Sequence, residues 1–154
     1  MQNLPLSEPV IRDCSPADLA RLYEIDRLCF PPGIAYTREE LQFYLSHPGS
    51  IARAAQLGPE ILGFVIGRIE GEMWGHVITL DVLPEARRRG IGSRLLENLH
   101  GEFRAAGTPL AVLEVDTENT AARAFYQGFG YTRVETIPGY YAGGRDAHRM
   151  VLFL

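Results

Sequence analysis

Residues 80–93 read LDVLPEARRRGIGS, and the backbone period changes within them. Upstream, Met73 to Leu83 alternates loosely between apolar and other side chains, as a half-buried strand does, until Pro84 ends ladder pairing. Downstream, Leu95, Leu96, Leu99 and Phe103 recur at helical spacing, which predicts a helix over Ser93–Ala106. In the connecting loop, Gly90 and Gly92 carry no Cβ, the helix start exposes unpaired N–H groups, and Arg87, Arg88 and Arg89 add cationic donors. Such a loop suits a pyrophosphate. A helix end contributes roughly 0.3–1 kcal/mol and a charge-assisted hydrogen bond roughly 1.5–3, whereas micromolar binding needs about 8. A phosphate-bearing ligand must therefore be gripped elsewhere as well.

The same residues also read as helix capping beside a solvated basic face. A dinucleotide fingerprint is a third reading, with Glu114 and Asp116 near the required distance, but its third glycine position is Leu95. A P-loop requires lysine, and all fifteen basic residues here are arginine.

Further along, Leu110 to Val115 is a short apolar strand, followed by a helix presenting Ala122, Phe125 and Tyr126 on one side. Strand, helix and strand form one crossover unit, which makes the two strands parallel and sets the helix N-terminus at the carboxyl end of the first. Arg87, Gly90 and Gly92 match the pattern of Arg or Gln, two residues, Gly, one residue, then Gly or Ala. LEVDTENTAARAFYQGFGY, Leu113 to Tyr131, matches a second signature. On these residues the chain resembles the GNAT superfamily of acyl-CoA-dependent N-acetyltransferases. Within it, the ribosomal-protein alanine N-acetyltransferases and their eukaryotic N-terminal acetyltransferase relatives are more similar still. They share LEV, the spacing of Glu114, Asn119 and Tyr126, and the Tyr140–Tyr141 pair ahead of Asp146 and Ala147.

The resemblance implies an α/β mixed sheet of the GNAT acyl-CoA N-acyltransferase fold, with about seven strands, a splayed parallel pair and four helices. It implies acetyl-CoA as co-substrate, its pantetheine arm held by the backbone of Leu80, Asp81 and Val82. Arg87, Arg88, Arg89, Gly90, Ile91, Gly92 and Ser93 would surround the pyrophosphate, with Asn119 and Tyr126 along the arm. Glu114 matches the general base and Tyr126 the general acid, while His76 lies near a second active-site residue of the eukaryotic relatives. Phe30, Pro31, Tyr36, Tyr140 and Tyr141 would wall the acceptor site. The implied reaction is direct attack of a primary amine in a ternary complex, with a protein N-terminal α-amine as leading acceptor. A small-molecule amine or lysine side chain is the alternative, and a catalytically silent acyl-CoA-binding module is another.

An α-amine, with pKa near ~7.8, costs only about 1 kcal/mol to deprotonate at neutral pH, against roughly 4 to 5 for lysine. A weak carboxylate base thus suits an N-terminus better. Each residue also has a packing reading: Glu114 on an exposed strand edge, Tyr126 in the core, His76 as a half-buried strand residue, and CFPPGIAY, Cys29 to Tyr36, as a stiffened connection.

A chain of 154 residues, 46% hydrophobic, supports one core, so residues 1–154 are expected to form a single domain behind an N-terminal arm of residues 1–8. Net charge is −4 and the one dense basic cluster is the loop above, which argues against nucleic-acid binding. No apolar run reaches the roughly 18 residues of a membrane span, and Met1 to Glu8 lacks a signal peptide's pattern, so a cytoplasmic protein is expected. Cys14 and Cys29 read as reduced thiols. His47, His76, His100 and His148 are scattered without metal-ligand spacing, so no metal is expected.

Ser15, Pro16 and Asp18 open a first helix whose inner face is Leu19, Leu22, Ile25 and Leu28 or Cys29. Thr37 with Glu40 opens a second. Ser50–Leu57 and Glu60–Glu70 read as a hairpin through Gly58 and Pro59, and Tyr131–Ile137 and Asp146–Leu154 as the last strands.

Overall fold

Residues 8–154 are described in a computed structural model, so residues 1–7 of the expected N-terminal arm lie outside it. The chain runs β1 (Val10–Asp13), α1 (Leu19–Cys29), α2 (Arg38–Ser46), β2 (Ser50–Leu57), β3 (Glu60–Glu70) and β4 (Trp74–Val82). It continues through α3 (Ile91–Ala105), β5 (Leu110–Asp116), α4 (Thr120–Gly128), β6 (Thr132–Ile137) and β7 (Ala147–Phe153). The strands form one sheet in the order β1-β2-β3-β4-β5-β7-β6, antiparallel throughout except between β4 and β5.

Alternation and capping put these elements where they are. The α3 residues at helical spacing, Leu95, Leu96, Leu99 and Phe103, are all fully buried, and the helix lies directly on β3 and β4. That approach requires glycine: a Cβ on Gly75 would stand 2.3 Å from the Phe103 ring. Thr37 Oγ1 accepts the Glu40 N–H while the Glu40 carboxylate accepts the Thr37 N–H, both at 3.1 Å, which closes the start of α2.

Three features depart from the sequence reading. The third helix starts at Ile91, because Gly90 takes a left-handed conformation (φ 77°) that caps it and leaves Gly92 inside its first turn. Strand β1 has no period-2 signature, since its burial is set by pairing with β2, where Asp13 also meets Arg53 at 3.1 Å. On α1 the inner face ends with half-buried Cys29, and Leu28 is 61% exposed.

The parallel pair positions the site. β4 and β5 are paired only over Trp74–His76 and Leu110–Val112, after which they diverge. A bulge accompanies the divergence: against β3, Ile66 meets Thr79 and the next residue, Gly67, meets Val77, leaving Ile78 as the extra residue of β4.

Candidate active site

A cleft of about 740 Å³ occupies the opening between β4 and β5. One end reaches the start of α3. No side chain caps that helix, so the first-turn N–H groups of Ile91, Gly92 and Ser93 are left without intrahelical partners where they line the cleft. Arg88, itself left-handed at φ 64°, and Arg87 line the same end, and Arg87 Nε donates to the Val82 carbonyl at 3.0 Å. Together these groups form the anion cradle expected for a pyrophosphate. The diverging edges of β4 and β5 offer strand-like backbone to an amide-bearing arm, so the residues present fit acetyl-CoA.

Most of the expected contacts converge here. Leu80, Val82, Arg87, Arg88, Gly90, Ile91, Gly92, Ser93, Asn119 and Tyr126 all line the cleft, as do His76, Glu114, Phe30, Tyr36, Tyr140 and Tyr141. Asn119 also caps α4, its side-chain oxygen accepting the Ala122 N–H at 3.1 Å. Three residues lie outside the lining. Arg89 sits on the outer side of the loop, and Pro31 is exposed, its carbonyl turned back to the N–H groups of Ile34 and Ala35. Asp81 is 1% exposed, because strand alternation turns Leu80 and Val82 into the cleft and Asp81 away from it.

Asp81 meets an unexpected partner, Asp26 of α1, which is fully buried. Thr79 Oγ1 donates to Asp81 Oδ1 at 2.6 Å, and Asp26 Oδ2 accepts the Tyr36 N–H at 2.6 Å. Asp26 Oδ1 and Asp81 Oδ2 have no other partner. Burial pushes both carboxyls up, Asp81 well above the usual range, with the neighbouring Asp26 adding to its shift.

At the other end of the cleft Glu114, 8% exposed, faces His76 and Arg149. His76 Nε2 stands 2.7 Å from Glu114 Oε2, and an Arg149 guanidinium nitrogen stands 3.4 Å from Glu114 Oε1. Burial pushes the Glu114 carboxyl up, but His76 and Arg149 outweigh it and hold it below its ordinary value. Tyr126, 8% exposed, is kept protonated by burial and by the Asp81 charge.

The residues expected to wall the acceptor lie where two loops meet. The Tyr36 hydroxyl donates to the Ile78 carbonyl at the bulge (3.1 Å), and its ring packs edge-on against Tyr44. Tyr140 and Tyr141 stack edge to face, with ring centroids 4.9 Å apart. Gly33 (φ 91°) touches the second loop so closely that a Cβ would lie 2.2 Å from the Ala142 carbonyl oxygen. Ile34 and Cys29, both within CFPPGIAY, join the lining, and so does Tyr44 of α2, which no sequence motif announces. Cys14 and Cys29 are free thiols pushed up by burial, to about 12 and about 11. Among the described residues no group of His, Cys, Asp and Glu is arranged to hold a metal ion, and no helix is long and apolar enough to cross a membrane.

Comparison with known proteins agrees with this geometry. The family described as the Acetyltransferase (GNAT) family matches residues 19–131. An uncharacterized N-acetyltransferase of Methanocaldococcus jannaschii is 34% identical over 145 residues, covering 92% of this chain and 90% of the relative. The N-alpha-acetyltransferase 20 of Dictyostelium discoideum is 36% identical over 115 residues, covering 70% of this chain and 66% of its own length. Among solved structures, Arabidopsis thaliana NAA60 in complex with a bisubstrate analogue superimposes with a TM-score of 0.82 at 25% identity, covering 94% of this chain and 97% of that one.

Proposed function

Because this chain belongs to the GNAT acetyltransferase family and is an acetyl-CoA-dependent N-acetyltransferase, we propose that its acceptor is a protein N-terminal α-amine. The observation that carries this reading is the placement of Glu114, a carboxylate at the cleft wall 2.7 Å from His76 Nε2 and 3.4 Å from an Arg149 nitrogen, which hold it below its ordinary value. So weak a base suits an amine that is already partly neutral at pH 7, such as an α-amine with pKa near ~7.8, better than a lysine near ~10.4. The Dictyostelium relative, by its name an N-alpha-acetyltransferase, supports the same acceptor class.

Acetyl-CoA supplies the activated thioester. The first turn of α3 with Arg87 and Arg88 holds its pyrophosphate, and the β4 edge at Leu80 and Val82 holds its arm. Glu114 takes a proton from the acceptor ammonium, directly or through one water, and orients the nitrogen. Tyr126 gives its phenolic proton to the thiolate as the C–S bond breaks, and the phenolate recovers a proton from the acceptor nitrogen, which sheds its second proton to become the amide. Tyr36, Tyr140 and Tyr141 wall the first acceptor residues and exclude water.

Thiol release should be followed with peptides differing only in their first two residues, beside N-blocked lysine peptides, polyamines and aminoglycosides. The reading expects free-N-terminal peptides to be acetylated at the α-nitrogen with the highest kcat/KM. Preferential acetylation of a lysine side chain or a small amine overturns it.

A further inference from the structure

Glu70 ends β3 with its side chain 39% exposed, and its carboxylate oxygen stands 2.9 Å from His76 Nδ1. On the other side of the ring, Nε2 stands 2.7 Å from Glu114 Oε2. Ionised carboxylates only accept, so two carboxylates joined through an imidazole by two hydrogen bonds must hold two protons among the three groups. The triad then carries one net negative charge, and the ordinary order of basicity places both protons on the imidazole. We propose that Glu70 is a positioning residue for acetyl transfer, keeping His76 doubly protonated so that the imidazolium holds Glu114 ionised and oriented beside the acceptor nitrogen. The proposal rests on Glu114 as base.

The surroundings explain why a second carboxylate is needed. Burial drives His76 towards the neutral form, and Glu114 followed by Glu70 more than offset it, so His76 stands above its ordinary value. Arg149 of β7 opposes the imidazolium from beyond Glu114, although it is itself shared with Glu135 of β6. Arg68 lies opposite His76 in the β3–β4 register, with His47 3.5 Å from it. Tyr44 of α2 and Tyr140 of the β6–β7 loop feel the charges of both Glu70 and Glu114, and burial holds their hydroxyls neutral. A neutral imidazole carries one N–H. Held on Nδ1, it would turn the Nε2 lone pair on the Glu114 carboxylate and release its anchor. Since the folded value of His76 is raised, the anchor is present below that value and lost as pH rises through it.

Glu70→Gln keeps an acceptor for Nδ1–H but removes the charge. In the full chain, ¹⁵N NMR of His76 should show both ring nitrogens protonated at neutral pH, and Glu70→Gln should lower the titration midpoint by about one unit. The kcat/KM deficit of Glu70→Gln should be small at the acid end and grow to about tenfold at mildly alkaline pH, with Glu70→Asp recovering part of it. An unmoved His76 midpoint, or a deficit of equal size at every pH, overturns the proposal. Glu114→Gln separates the two failures. If that variant turns over like the wild type, the base assignment falls and takes the triad's catalytic role with it. If it is inactive while Glu70→Gln leaves His76 unmoved, the base assignment stands and only the role of Glu70 is refuted.

Discussion

In the proposed reaction Glu114 and Tyr126 divide the proton work because their surroundings push them apart: His76 and Arg149 lower the carboxyl, and burial raises the phenol. Replacing Glu114 with Gln should lower kcat about a hundredfold while the dissociation constant of acetyl-CoA, measured by calorimetry, stays within about twofold. Tyr126→Phe, which fills the same space, should cost kcat about tenfold or more with a similarly small effect on acetyl-CoA affinity. Wild-type turnover in either variant would remove the role. These two positions were legible in the sequence because one strand–helix segment carries both, along with Asn119. Arg149, Glu70, Asp26 and Tyr44 were not, because they reach the site from β7, β3, α1 and α2, and no local spacing relates those elements to β5.

The elements supply the separation of the two substrates. β4 and β5 part after three paired residues, and the bulge at Ile78 gives its carbonyl to Tyr36 of the acceptor loop. That loop is also tied from beneath, through Tyr36 N–H to the buried Asp26 of α1. Its other fastening is the contact of Gly33 with Ala142. Gly33→Ala should force the two acceptor loops apart, since its Cβ would collide with a backbone oxygen and its φ of 91° is strained for an L side chain. The expected result is a severalfold rise in the KM for the peptide with the KM for acetyl-CoA unchanged; equal changes in both would show that the loops do not act on the acceptor alone. Glycine in CFPPGIAY marked a loop in the sequence, but which chain segment it must touch depends on where β6 and β7 return.

Over the whole molecule, stability should depend on one buried histidine remote from the cleft. His100 of α3, 2% exposed, has its Nε2 2.6 Å from the Tyr131 hydroxyl oxygen and rests edge-on to Phe129. Burial, with Arg104 adding to it, pushes its pKa down to about 4. Between that value and the ordinary ~6.5 the unfolded chain binds a proton that the folded one refuses, so stability is present above pH ~6.5 and falls as pH drops through this window. The loss should be on the order of 2–3 kcal/mol between pH 6.5 and 4. Thermal melts of His100→Gln should show a shallower acid decline than the wild type, and parallel curves would contradict this. The four helices, the strands after β1, the helix-start loop with its exposed amides, and the Glu114–Asn119–Tyr126 spacing were determined by the sequence alone, because backbone period, capping and turn chemistry act over a few residues. The tertiary structure alone decided the triad of Glu70, His76 and Glu114, the burial of Asp26 beside Asp81, and the inward turn of Asp81 away from the cleft. Those pairings depend on sheet register and on a single bulge, which join residues dozens of positions apart and leave no periodic trace in the chain.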